Sequence, residues 1–144
     1  MLLTGTHPRT LDEKNRLVFP KRIRDLLNKP ESLYITPGPD QCLWLFPPTE
    51  MQRLDEKLRQ SSAADPEVRA FRRMFFGQTE EVDVDRSGRI LIPERLVRFA
   101  GLGREVVLLG VQDHLELWDA NRWQQYQQEQ ASRFDAVAEK AFQT

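Results

Sequence analysis

The sequence predicts an α+β fold made by tandem duplication, in which two half-domains of β-turn-β-α-β-β pattern pair about a pseudo-twofold axis and carry appended helices. Three observations predict it. Residues 11–20, LDEKNRLVFP, return as VDRSGRILIP at 84–93. At that spacing Asp12 matches Asp85, Arg16 matches Arg89, Pro20 matches Pro93 and Arg22 matches Arg95, within a shared apolar pattern. Each identity has a chance of roughly one in twenty, so such a run in register is no accident. The similarity then continues. Leu33, Tyr34 and Ile35 fall on Val106, Val107 and Leu108, and after a one-residue slip Leu43, Leu45 and Phe46 fall on Leu115, Leu117 and Trp118. Finally, an amphipathic helical stretch follows each copy. One copy alone is too thin to bury a core, which is why the two should pair.

The elements follow from local chemistry. Each copy begins with a turn, DEKNR at 12–16 or DRSGR at 85–89. Its fourth position holds Asn15 or Gly88, the residues that best tolerate positive φ, and its first holds Asp12 or Asp85, which can accept hydrogen bonds from the following amides. That pattern predicts a β-hairpin loop closed by a left-handed residue. Pro20 and Pro93 should be first helical residues. Ile23, Leu26 and Leu27 then share one helix face, as do Leu96, Phe99 and Ala100, with Gly101 as the second helix's stop. Short strands follow at 33–36 and 43–46, and again at 106–110 and 115–118.

The appended segments read as helices. Pro48 and Thr49 with Gln52 suggest a capped start for a helix carrying Met51, Leu54 and Leu58. After the polar turn SSAAD, Asp65 and Pro66 start another with Val68, Phe71 and Phe75. Asp119 caps a segment with Trp123, Tyr126, Gln130, Phe134, Val137 and Ala141 at helical spacing, with a break near Ser132. The domain reading is therefore a first repeat at 1–48, a helical hairpin at 49–76, a second repeat at 77–119 and a C-terminal helical segment at 120–144.

Composition narrows the function. The 144 residues, 40% apolar and 30% charged, suit one compact unit or two small ones, and exclude a large catalytic architecture. The amino terminus, MLLTGTHPRT, has no basic stretch followed by an apolar core, and no apolar run spans a bilayer; a cytoplasmic protein without membrane contact is expected. Cys42 lies in the apolar run QCLWLF and reads as a buried small side chain rather than a nucleophile. His7 and His114 are the only histidines and do not correspond between the repeats, so no zinc set forms. No Gly-rich phosphate loop, G-x-S-x-G or H-E-x-x-H is present. Asp12 and Asp85 recur as paired carboxylates would, yet turn capping explains them more simply. No catalytic residue, metal, cofactor or small-molecule substrate is expected.

Net charge is −1, but its distribution is uneven. Residues 1–29 carry seven basic groups (Arg9, Lys14, Arg16, Lys21, Arg22, Arg24, Lys29) against three acidic ones, whereas residues 105–120 carry Glu105, Asp113, Glu116 and Asp119 and no basic group. A basic face opposite an acidic one is expected, and basic side chains on a β-ribbon can enter a DNA groove. The competing reading is that Arg16 and Arg89 simply pair with Asp12 and Asp85 across their own loops.

The two D-x-x-x-R motifs, each followed by an apolar triplet and Pro, together with RRMFFG at 72–77, GLGREVVLLG at 101–110 and LELWD at 115–119, resemble the MraZ family of bacterial regulators. The resemblance covers nearly the whole chain apart from about the last ten residues. It implies a tandem-repeat swapped-hairpin AbrB-like β-barrel assembling into a ring-shaped homo-oligomer. It also implies a transcriptional repressor, associated with the nucleoid, that binds direct repeats in double-stranded DNA near the promoter of its own division and cell-wall gene cluster. Carried over by position, Arg16 and Arg89 are the expected DNA contacts, with Lys14 and Arg86 beside them. Arg9 partly compensates for Thr4, which replaces a basic residue common before Gly5. Asp12, Asn15, Asp85 and Gly88 shape the turns, Asn15 standing where the family usually has Gly. Two rival readings remain: an AbrB-type antitoxin whose main partner is a toxin, and a purely structural oligomer with Trp123, Tyr126 and Phe134 at a subunit seam.

Overall fold

The strand that enters each turn and the strand that leaves it belong to different sheets. In the computed structural model, which describes residues 1–143, the elements run β1 (Thr6–Thr10), β2 (Arg16–Val18), α1 (Lys21–Leu26), β3 (Ser32–Gly38), β4 (Cys42–Phe46), α2 (Pro48–Arg59), α3 (Pro66–Gln78), β5 (Glu80–Asp83), β6 (Arg89–Leu91), α4 (Glu94–Phe99), β7 (Glu105–Val111), β8 (His114–Asp119), α5 (Ala120–Ala131) and α6 (Phe134–Phe142). Six strands form one antiparallel sheet in the order β1-β7-β8-β4-β3-β5, and β2 and β6 form a separate two-stranded ribbon.

This corrects the hairpin expectation. The turns are made as predicted, with Asn15 at φ 59° and Gly88 at φ 76°, but β1 pairs with β7 and β2 pairs with β6, each from the other copy. The bonds that would begin a local hairpin, Asp12 N to Arg16 O at 3.2 Å and Asp85 N to Arg89 O at 3.0 Å, are not extended by a ladder between β1 and β2 or between β5 and β6. Burial decides the partner. Leu17 and Ile90 are both buried, and pairing β2 with β6 puts them on one shared inner face, which neither copy could cover alone.

The pairing pattern is unchanged when the two copies are exchanged. Leu17 lies opposite Ile90 and Trp44 opposite Glu116, each facing its counterpart in the repeat. Phe19 N donates to Gly88 O at 2.9 Å, and the matching Ile92 N donates to Asn15 O at 2.9 Å. The main core lies between sheet, ribbon and the short helices, with Ile23, Leu33, Leu43, Leu96, Leu108 and Leu115 at its centre. The barrel implied by the family resemblance is not closed: β1 and β5 are sheet edges, and the ribbon stands apart from them. Pro8, which has no N–H to offer a further strand, sits on edge strand β1.

The helices refine the reading. Pro20 and Pro93 are caps rather than first helical residues, since their ψ angles of 143° and 139° are extended. Ile23 and Leu27 are buried, as are Leu96 and Ala100, whereas Leu26 is only partly buried and Phe99 is 37% exposed. Helices of six residues present one narrow row to the core, and the third apolar residue falls on its shoulder. Gly101 ends α4 at φ 61°, and Asn28, its counterpart after α1, adopts φ 60°. No side chain caps α2, so the Thr49–Gln52 start is not formed and Pro48 simply occupies the first turn. Asp65 and Asp119 cap α3 and α5, accepting from the amides of Glu67 and Arg122. The break at Ser132 separates α5 from α6.

Candidate nucleic-acid interface

Asp12 organises the first turn through both carboxylate oxygens. Its Oδ1 accepts from the amides of Lys14 at 2.9 Å and Arg16 at 2.8 Å, and its Oδ2 accepts from Arg16 Nε at 2.6 Å. Asp85 repeats the arrangement with the amides of Ser87 and Arg89, both at 2.9 Å, and Arg89 Nε at 2.9 Å. Both carboxyls titrate below the usual carboxylate range, chiefly because the amide of Arg16 or Arg89 donates to the ionised form; slight burial opposes this and the guanidinium reinforces it.

The arginines therefore do pair with their own turn aspartates. The pairing leaves each guanidinium available, because it runs through Nε; the terminal nitrogens of Arg16 and Arg89 make no hydrogen bond among the described residues. A guanidinium held at Nε is aimed outward with its remaining donors free for a phosphate or a base edge. Both arginine side chains are about one-third exposed.

The ribbon puts the two arginines on one surface. Strand alternation sends Leu17 and Ile90 inward, so Arg16, Val18, Arg89 and Leu91 point outward, with Arg16 opposite Leu91 and Val18 opposite Arg89. Lys14 and Arg86 are exposed on the adjoining turns. Arg9 is not brought to this surface: it stands on β1 opposite Val106, its Nη1 donating to Pro8 O at 2.7 Å.

Sequence reasoning missed Arg24. It crosses from α1 to the second turn, where Nη2 donates to Arg86 O at 3.0 Å, and a Cβ on Gly88 would lie 3.1 Å from its Cδ. Its counterpart in the repeat is Val97, so the brace acts on one turn only. The signal was an aligned Arg and Val in otherwise matching helices.

The acidic stretch is not a bare face opposite the ribbon. Asp113 and Glu116 each lie 2.9 Å from a ring nitrogen of His114, and Glu116 also accepts from Trp118 Nε1 at 3.0 Å. Asp119 accepts from the amides of Gly103 and Arg122, and Glu105 from Thr10 Oγ1. His114 is buried against Trp44 and Phe46, with ring centroids 4.3 and 5.4 Å away. Burial disfavours its charged form, but hydrogen bonds and attraction from Glu116 and Asp113 outweigh this, and its pKa is raised. Cys42 is buried as expected, and burial with nearby carboxylates pushes its thiol far up, so it is no nucleophile at neutral pH. Among the described residues no group of three or more His, Cys, Asp or Glu side chains can hold a metal ion, and no helix is long and apolar enough to cross a membrane.

Fold and surface together define a duplicated α+β protein whose two copies jointly build a cationic β-ribbon. A family model described as "MraZ protein, putative antitoxin-like" matches the chain twice, at residues 2–74 and 75–144, as the duplication requires. The chain is 37% identical over 139 residues to the transcriptional regulator MraZ of Moorella thermoacetica, covering 96% of each chain. It is 38% identical over 136 residues to that of Acetivibrio thermocellus, covering 94% of each, and 38% identical over 139 residues to that of Thermobifida fusca, covering 96% of each. The chain belongs to the MraZ family, whose members named here are transcriptional regulators.

Proposed function

We propose that this protein is a transcriptional regulator that binds double-stranded DNA through the β2/β6 ribbon and represses its own division and cell-wall gene cluster from direct repeats near the promoter. One observation carries the reading: two equivalent arginines, each held at Nε by its turn aspartate, share one exposed ribbon face with terminal donors free. The names of the relatives support regulation of transcription. Arg16 and Arg89 supply the main contacts, and Lys14 and Arg86 add phosphate neutralisation from the turns. The architecture behind this is a swapped-hairpin, AbrB-like one, with the ribbon capping an open sheet, in a cytoplasmic protein that associates with the nucleoid.

A single ribbon offers few contacts. Assembly into a ring-shaped homo-oligomer sets several ribbons against successive repeats, and multivalency raises the affinity. Two apolar surfaces supply a seam. One is a groove of about 280 Å³ lined by residues including Pro37, Trp44, Phe71, Met74 and Phe99. The other is α6, which has no buried residue and exposes Phe134, Val137 and Phe142.

The test is binding to the DNA upstream of the protein's own gene, followed by fluorescence anisotropy at physiological salt. Arg16→Ala and Arg89→Ala are expected to weaken binding by about tenfold or more each while leaving the circular dichroism spectrum unchanged. Wild-type affinity in both variants overturns the reading. Co-purification of a small ribonuclease in stoichiometric amount, with no DNA binding, would favour the antitoxin alternative instead.

A further inference from the structure

The outward face of the ribbon breaks its own polarity rule. A strand with one buried face ordinarily alternates apolar inside and polar outside, and Arg16 and Arg89 obey this. Val18 and Leu91 do not: they point outward with the arginines and are 47% and 54% exposed. A single exposed apolar side chain needs no explanation. These two occupy the same position in the two copies, so the exception is made twice, and each lies directly opposite an arginine.

The four side chains form a small rectangle with arginines on one diagonal and apolar residues on the other. Directly opposed residues lie about 5 Å apart, and residues two apart along a strand about 7 Å. Seven ångströms is about two base-pair steps at 3.4 Å. A two-stranded ribbon fits the major groove, where guanine presents two acceptors that suit a guanidinium and thymine presents its C5 methyl, the only apolar group on any base edge there.

From this we infer that Val18 and Leu91 are specificity-determining residues that pack against thymine C5 methyls within about two base pairs of the guanines read by Arg89 and Arg16. The inference rests on the reading of the ribbon as the DNA-facing surface. The ribbon and its turns carry Lys14, Arg16, Arg86 and Arg89 against the exposed Glu13, while Asp12 and Asp85 are engaged by turn amides and arginine Nε, a setting that suits an apolar group carried within a polyanion better than an apolar protein partner.

The test compares two duplexes of the DNA upstream of the gene, one with thymine and one with uracil at every thymine position, so that only the C5 methyls differ. Wild-type protein is expected to bind the uracil duplex more weakly, by about fourfold for each methyl group taken away from Val18 or Leu91. The doubly substituted Val18→Ser, Leu91→Ser protein is expected to bind the thymine duplex as weakly as wild type binds uracil DNA, and to show little further weakening on the uracil duplex. Equal wild-type binding of the two duplexes overturns the inference while leaving the DNA-binding reading intact. So does full methyl sensitivity in the double variant, or dissociation of its assembly with no change in methyl sensitivity. Failure of wild type to bind either duplex at low salt overturns both readings.

Discussion

Leu17 and Ile90 lie directly opposite each other across the ribbon, and they are one position in the two copies of the repeat. Each is buried, and each closes the inner face that its partner would otherwise expose. Truncating either should therefore damage both halves. Leu17→Ala and Ile90→Ala are each expected to cost about 2 to 5 kcal/mol, and the double variant less than the sum, because both enlarge the same cavity. Urea unfolding measures this; additive losses, or a loss below about 1 kcal/mol, would contradict a shared inner face.

The turn aspartates carry negative charge beside a surface read as DNA-facing. Simple electrostatics predicts tighter binding when Asp12 is neutralised. The geometry predicts the reverse, since Asp12 Oδ2 holds Arg16 Nε and Oδ1 holds two turn amides. Asp12→Asn is expected to weaken DNA binding by about tenfold, because the arginine must then be ordered on binding. Anisotropy titrations at two salt concentrations decide it, and tighter binding at both would show that the aspartate does not position the arginine.

Arg24 braces only the second turn, so its removal should separate the two turns dynamically. In Arg24→Ala the amides of Ser87 and Arg89 are expected to exchange faster with solvent, while those of Lys14 and Arg16 are unchanged. Equal acceleration in both turns would mean that the brace serves the whole ribbon.

Much of this was legible in the chain. The duplication was, because its apolar register survives substitution, and so were the turn residues, because Asn15 and Gly88 reflect a purely local backbone demand. Strand partners were not. DEKNR and DRSGR carry hairpin chemistry, and only the need to bury Leu17 against Ile90 decides that the flanking strands pair elsewhere. Arg24 was counted as one more cation, since its target, the Arg86 carbonyl, lies far along the sequence. The acidic stretch looked like a surface because charge counting cannot see that His114 sits between two of its carboxylates.

The proposed seam makes a direct prediction about assembly. Phe134 is 66% exposed, so Phe134→Glu should leave the protomer folded. Removing one large apolar anchor from each subunit interface takes away about 1.5 to 3 kcal/mol, enough to weaken that interface by roughly tenfold to a hundredfold. Sedimentation velocity is expected to show smaller species for Phe134→Glu and for Phe71→Glu in the groove. An unchanged distribution in both would remove α6 and the groove from the seam.

His114 gives stability a pH dependence whose sign follows from its partners. Burial alone would favour the neutral ring, but Glu116 and Asp113, one against each nitrogen, favour the imidazolium and raise the pKa above the ordinary value of about 6.5. A pKa higher in the folded state than in the unfolded one means that the fold binds the proton more tightly. The resulting stabilisation is full below about pH 6.5, the unfolded value, and is lost as pH rises through the folded value. The urea midpoint should therefore fall as pH is raised from about 6.5 to about 8. Cys42 enters only above about pH 8.5, where the unfolded thiol ionises while the buried one stays protonated, so it leaves this window unaffected. His114→Gln keeps a neutral amide donor for one of the two carboxylates but cannot titrate, so it is expected to be less stable than wild type at low pH and to have lost the downward slope. A slope that persists in His114→Gln would place the titrating group elsewhere.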